Sequence, residues 1–446
     1  MKRKITTSKG FMRIVPLLAA GALTIGLAGG CSNTAVNTEP DFAAITNAQI
    51  FDGEKTIEAT TVVIRDGSIQ SVGGEIPEGA AVIDAAGKTL LPGLIDSHTH
   101  TDMNGLRDAL KFGVTTELEM NGSWSKSDRK KITESSDVAD LRSSGMGITS
   151  KGGHPSEYQS SSENLLIRYF FKFPSASTPE EATKLVSKRV NEGADYIKIL
   201  VENGDNIGYP GLPVLDDDTL QAAIDEARRL DKLTIAHTTT AAETERVVAA
   251  GINGLGHLFF DDQPSDELVA DIVSSDVFII PTLVTLSTAF GNDAAWLAED
   301  ARVSPKLSKE WLESLSASAN VYPEGKMESA YATVMTLRDA GVDILAGSDV
   351  SEPVPGLGGL AHGASLHHEL MLLVEAGLTP ADALRAATSV PARRFSLDDR
   401  GRILPGARAD LLLIDGDPLT DISDTLNIDT IWRGGVKLAD MRQPGR

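Results

Sequence analysis

His98 and His100 flank a single residue in LPGLIDSHTH. In an extended segment, residues i and i+2 project to the same side, so both imidazoles can reach one ion. Zinc and similar ions take imidazole nitrogen and carboxylate oxygen as ligands. Such a pair also arises by chance, and its weight depends on the rest of the chain. Lys198 lies inside GADYIKIL, His237 ends KLTIAH, His257 ends INGLGH and Asp349 ends VDILAGSD. Taken singly, a strand-end histidine is ordinarily a polar residue meeting solvent, and Asp349 could cap the next segment. Lys198 is the least ordinary, because lysine is rarely buried without a partner. Four of the eight histidines in the chain fall in this set, which argues for metal-dependent chemistry. His154 in SKGGHPSEY and Tyr209 in NIGYPGLP are candidates for substrate contact, with loop packing as the alternative for each. His362, His367 and His368 lie in or before SLHHELMLLVEAG, where Leu370, Leu373 and Val374 have helical core spacing. They read as capping or packing residues.

Eight strand-like runs must position these groups: GLIDSH, GVTTELEM, GMGITS, GADYIKIL, KLTIAH, INGLGHL, VFIIPTL and VDILAGSD. Between them lie amphipathic helices such as TPEEATKLVSKRVNEG, DDDTLQAAIDEARRLD and TAAETERVVAAG. Thr178-Pro179-Glu180-Glu181 supplies an N-cap, a proline at the first helical position and acids in the first turn. Alternating units of this kind predict an α/β fold, a (β/α)8 TIM barrel over residues 93–400, with a doubly wound sheet as the alternative. Chemistry in such a barrel sits at the C-terminal ends of strands, which is where the six residues fall. Residues 42–92 and 401–440 share a different texture of short β-runs broken by glycine turns. They predict a small composite β-sandwich domain built from both ends of the chain. Asp66-Gly67 in IRDGSI is a hairpin signal within it. No dinucleotide fingerprint, P-loop or nucleophile elbow falls at a strand-to-helix junction.

The chain carries 63 acidic and 41 basic residues, a formal charge of -22. Such a surface repels phosphate backbones and argues against a nucleic-acid partner. The single cysteine, Cys31, excludes a disulfide within the chain. It follows a basic segment and an apolar run from Ile14 to Ala28, and a polar tract comes next. This resembles a bacterial lipoprotein signal: residues 1–30 removed, Cys31 lipidated and residues 31–41 serving as a tether. The resemblance implies an exported protein whose only tie to a membrane is the anchor at Cys31. Ser32 after the cysteine suggests the outer membrane in a Gram-negative cell.

From about residue 42 to 440 the sequence resembles the amidohydrolase superfamily, in its imidazolonepropionase-like and prolidase-like subgroup. LLPGLIDSHTH, FGVTTELE, GADYIKIL, AHTTT, GLGHLFFDD, FIIPTL, LAGSDV, GLTPADALRAATSVPA and GRILPGARADLLLID carry the resemblance as an ordered set. It implies two divalent metal ions, with zinc expected. His98, His100 and Asp349 would hold the more buried ion, and His237 and His257 the second. Lys198 would be carboxylated by CO2 and bridge both. Asp349 would serve as general base and then acid, and His154 would reach the carbonyl oxygen or a carboxylate of the substrate. A binuclear metal-bound hydroxide would hydrolyse an amide of a dipeptide or N-acyl amino acid, aromatic acyl amides of the ochratoxin type included. A lactone or cyclic amide is the alternative small-molecule substrate, and a binding lipoprotein without catalysis is the reading from another class. A homo-oligomer is compatible with this family.

Overall fold

In the computed structural model, residues 42–161, 173–353 and 358–438 are described. The leader, Cys31 and the tether lie outside them. Asp66 and Gly67 both take positive φ, 50° and 78°, the geometry of a two-residue hairpin turn. They join antiparallel strands Val62–Arg65 and Ser68–Val72. Phe42–Thr46 and Ala81–Asp84 complete a four-stranded sheet. A second, six-stranded sheet links the two ends of the chain. Its strand Leu411–Ile414 pairs antiparallel with Thr89–Pro92 on one side and with Ile428–Arg433 on the other. Ile45, Val62, Ile64, Leu90, Leu411, Leu413 and Trp432, drawn from both sheets, form one apolar cluster. Burial of this kind stabilises each aliphatic side chain by about 1.5–3 kcal/mol.

The remaining strands pair in parallel. Asp140–Ser143, Val114–Glu119 and Leu94–Thr99 form one sheet. Ile197–Leu200, Thr234–His237, Gly254–Leu255 and Phe278–Ile279 form another. Single parallel bridges tie the neighbouring edges: Thr99 to Val350, Ile279 to Ile344 and Ile148 to Ile199. Ile95, Leu118, Tyr196, Ile235, Phe278, Ile280 and Leu345 share a buried cluster. Helices separate the strands as expected. Pro179–Glu192 is capped by Thr178 and ends at Gly193 with φ 105°; Asp217–Arg229 is capped by Asp216 and Ala241–Ala249 by Thr240.

Two of the eight expected runs differ. GMGITS contributes only the short strand Thr149–Ser150 and the bridge at Ile148, while the preceding DLRS forms the strand Asp140–Ser143. VDILAGSD makes one isolated bridge at Ile344, and Val350 just beyond it makes another, instead of a continuous strand. The parallel ladder is therefore continuous over three and four strands, not over eight.

The polar look of DLRS has a physical cause. Asp140 is buried and contacts Arg400 at 2.5 Å, Arg408 at 3.1 Å, Arg142 at 3.2 Å and Arg433 at 3.6 Å. Burial alone would raise its pKa, but the four guanidinium groups outweigh that and hold it well below the usual carboxylate range. A depressed carboxylate stabilises the fold above its unfolded pKa of about 3.9 and loses that contribution as pH falls towards the folded value. Three of the arginines come from the C-terminal segment, so this charge pins that segment to the parallel sheet. Asp140→Asn should destabilise the protein by about 3–5 kcal/mol, because it leaves buried guanidinium charge uncompensated. Urea unfolding at pH 7 measures this, and an unchanged midpoint would refute the pinning role.

Candidate metal centre

The six residues singled out by their strand-end positions converge. His98 lies one residue before the end of the Leu94–Thr99 strand and is buried. Its Nε2 lies 3.2 Å from Asp349 Oδ1 and 3.4 Å from Lys198 Nζ. His100 Nε2 is 3.1 Å from the same Asp349 oxygen. The ring of His257 lies 4.6 Å from that of His98, and the ring of His237 lies 4.5 Å from that of His257, centroid to centroid. Among the described residues, His98, His257 and Asp349 offer ligand atoms within 4.8 Å of one another, a group that could hold a metal ion.

Local backbone chemistry sets this up. Asp349 has φ 53°, a left-handed conformation that aspartate tolerates better than most residues. Its N–H donates to His98 O at 2.7 Å. The preceding Ser348 is clamped by Asp96, which accepts from its N–H at 3.0 Å and its Oγ–H at 2.6 Å. A Cβ on Gly347 would sit 2.9 Å from His98 N, so no side chain fits there. A Cβ on Gly256 would come within 2.5 Å of Lys198 Nζ, so glycine at 256 keeps the space before that amine open.

Proton positions follow from the partners. Gly256 O can only accept, so the 2.7 Å contact places a proton on His98 Nδ1 and leaves Nε2 with its lone pair facing Asp349 and Lys198. Glu202 lies 3.3 Å from His237 Nε2 and also accepts from Thr239 Oγ1 at 2.7 Å. Burial raises the Glu202 pKa, and its hydrogen bonds, His237 foremost, bring it below the ordinary value. Its carboxylate accepts from Nε2–H and leaves His237 Nδ1 open. His257 Nδ1 is 2.9 Å from Thr282 Oγ1. An outer hydrogen bond that fixes the tautomer of an imidazole is the usual support for metal-binding histidine.

Burial drives the titration of the cluster. It lowers His98 and His257 well below the imidazole range and His237 to about 4, so all three rings are neutral near pH 7. Burial also lowers Lys198 to about 7, against the pull of Asp349 and Glu119. Burial pushes Asp349 up, but His98, His257 and His100 outweigh it and keep the carboxylate ionised. Neutral imidazoles around an anionic oxygen, with an amine whose hold on its proton burial has weakened opening onto them, suit a divalent cation. The residues present fit the metal that the sequence implied.

His154 and Tyr209 extend the site outwards. The His154 ring stacks on His237 at 4.6 Å, and its Nδ1–H donates to Glu157 Oε1 at 2.6 Å, which leaves Nε2 open. Tyr158 meets His154 edge-on at 5.8 Å and Tyr209 at 6.1 Å. Tyr209 itself is exposed. His367 lies elsewhere: its Nε2 donates to Phe112 O at 2.8 Å, and Thr425 Oγ1 lies 2.9 Å from Nδ1. His368 packs edge-on against Trp296, and His362 Nδ1 lies 3.0 Å from Glu117 Oε1. Glu157, Tyr158, Glu202 and Thr282 went unnoticed in the sequence. Glu202 alone had a signal there, as a carboxylate just beyond the Ile197–Leu200 strand.

The fold is of the TIM-barrel α/β type, as its solved neighbours show. A Xaa-Pro dipeptidase crystallised with methionine in its active site matches with a TM-score of 0.69 at 22% identity, covering 90% of this chain and 100% of that one. The Aspergillus niger ochratoxinase structure matches with a TM-score of 0.68 at 21% identity, covering 91% and 97%. In sequence, ochratoxinase of Aspergillus niger is 23% identical over 436 residues, 86% of this chain and 83% of that protein. Residues 89–438 match the model of the amidohydrolase family. The chain belongs to that family, and the membership supports a hydrolase acting on carbon–nitrogen bonds. The family generally uses divalent metals.

Proposed function

We propose that this protein is a binuclear metal-dependent amidohydrolase that cleaves the amide bond of a dipeptide or N-acyl amino acid, with aromatic acyl groups accepted. The observation that carries the reading is the convergence of His98, His100, Lys198, His237, His257 and Asp349, with the outer nitrogens of His98 and His237 already committed to Gly256 O and Glu202. In this reading the parallel strands belong to one (β/α)8 barrel, and the sheets from the two chain ends form the sandwich beside it. The ochratoxinase and dipeptidase relatives support the substrate class. So does the row of rings His154, Tyr158 and Tyr209 leading outwards from His237.

His98, His100 and Asp349 would hold one ion, His237 and His257 the other, and Lys198 would lie between them as a carbamate. The amine of Lys198 forms a new N–C bond to CO2, releases one proton and becomes an anionic oxygen donor. Bound divalent ions acidify water and polarise a carbonyl. Asp349 accepts the proton of the attacking water as the carbonyl carbon gains its oxygen. It then returns that proton to the nitrogen as the C–N bond breaks. His154, held by Glu157, presents Nε2 to the carbonyl oxygen or to a substrate carboxylate, and Tyr209 lines the rim. The leader supports export and lipid anchoring at Cys31.

Elemental analysis of protein prepared with zinc and bicarbonate should find about two divalent ions per chain. One ion or none counts against the binuclear reading. A hydrolysis screen of dipeptides, N-acyl amino acids and lactones with that preparation tests the reaction. Turnover confined to lactones would displace the amide assignment.

A further inference from the structure

Of His98, His237 and His257, only His257 has an outer partner that does not dictate its tautomer. Gly256 O and Glu202 can only accept, whereas the Thr282 hydroxyl beside His257 Nδ1 can donate or accept. Thr282 is also the backbone outlier of this region. It has φ 48° and ψ 50°, left-handed values that a β-branched residue rarely adopts. Such strain persists only where its surroundings enforce it. Here they do so from two sides. Glu369 accepts from Val284 N–H at 2.9 Å, holding the first turn of the helix Leu283–Ala289, and Thr282 O accepts from Thr285 N–H at 2.9 Å and Leu286 N–H at 3.1 Å. The same helix reaches the other half of the site, since Thr285 Oγ1 donates to Ser348 O at 3.0 Å, next to Asp349. Thr282 itself is completely buried, and its side chain makes no cap to its own helix.

We propose that Thr282 is a positioning residue for the metal centre: its strained backbone aims Oγ1 at His257 Nδ1, accepts that N–H, and so presents Nε2 as the ligand nitrogen. The opposite tautomer would put a proton on Nε2 and remove its lone pair from the site. The inference rests on the reading of His257 as a ligand. It goes further in assigning a role to a residue that touches neither metal nor substrate.

The test is zinc affinity by chelator competition, together with thermal unfolding, for the full chain and for Thr282→Ser, Thr282→Val and Thr282→Gly. Thr282→Ser keeps the hydroxyl and should bind zinc as the parent does. Thr282→Val removes it and should weaken one of two sites about 10–100-fold. Thr282→Gly is the discriminating variant. Glycine adopts positive φ without strain, so this change relaxes the backbone while deleting the hydroxyl. A positioning role predicts weakened zinc binding in a protein that still unfolds cooperatively. A purely structural role predicts parental zinc binding in Thr282→Gly, and that result overturns the proposal. Should Thr282→Val fail to fold, Thr282→Gly and Thr282→Ser still decide the matter. A parent chain that takes up no zinc would overturn the metal reading itself, an outcome distinct from equal binding by all four proteins.

Discussion

Lys198→Ala should yield a folded protein that loses most of its metal and about a thousandfold in kcat/KM, the scale set by several kcal/mol of lost electrostatic stabilisation. Lys198 is buried, and its Nζ lies 3.4 Å from His98 Nε2. A plain ammonium there would repel the cation that His98, His257 and Asp349 are arranged to hold. In the proposed reading carbamylation would reverse the sign and make Lys198 a ligand, and the space kept open by Gly256 is where the added group would go. Truncation to alanine leaves a void of the same shape, so short carboxylic acids such as acetate or propionate should restore part of the metal and part of the rate. The fold should tolerate the change, because among the described residues Lys198 makes no ion pair. Zinc content, kcat/KM with and without added acid, and a thermal melt together decide it. Parental activity in Lys198→Ala would eliminate the bridging carbamate.

The strand-end rule picked out these candidates because all of them but Lys198, which lies within Ile197–Leu200, are polar residues at or near the end of an apolar run. His237 after KLTIA and Asp349 after VDILAGS stand out in that way, and the structure places both beside His257 and His98. The rule fails where burial is maintained by charge. DLRS looks like a loop until Asp140 is seen among four arginines, three of them more than 250 residues away. It fails again for residues that act on a ligand from outside. Nothing in the residue types around Thr282 signals a positive φ, and the helix that follows it is held by Glu369, far along the chain. The hairpin at Asp66-Gly67 was legible for the opposite reason: its φ values are dictated locally by the turn residues themselves. The eighth run, VDILAGSD, was placed correctly but not as a strand. Gly347 and the left-handed Asp349 interrupt the ladder in order to bring the carboxylate onto the histidines.

Asp349→Asn should keep the fold and part of the metal but lower kcat by about 10²–10⁴-fold, the usual contribution of a positioned general acid–base group. Asparagine accepts the left-handed backbone as readily as aspartate, so the hydrogen bond from residue 349 N–H to His98 O should survive. What disappears is the negative charge between His98 Nε2 and His100 Nε2 and the ability to carry a proton from water to the leaving nitrogen. The two histidines remain, so metal binding should weaken without vanishing. That combination separates the proton-transfer role from simple ligation. If Asp349 only ligated metal, saturating zinc would restore kcat in Asp349→Asn. If it carries the proton, kcat stays low at full metal occupancy while KM changes little, because ground-state binding of the substrate does not use the missing charge. A near-parental kcat at saturating zinc would remove Asp349 from the chemistry and leave the proton transfer to another group, with His154 and its partner Glu157 next in reach of the site.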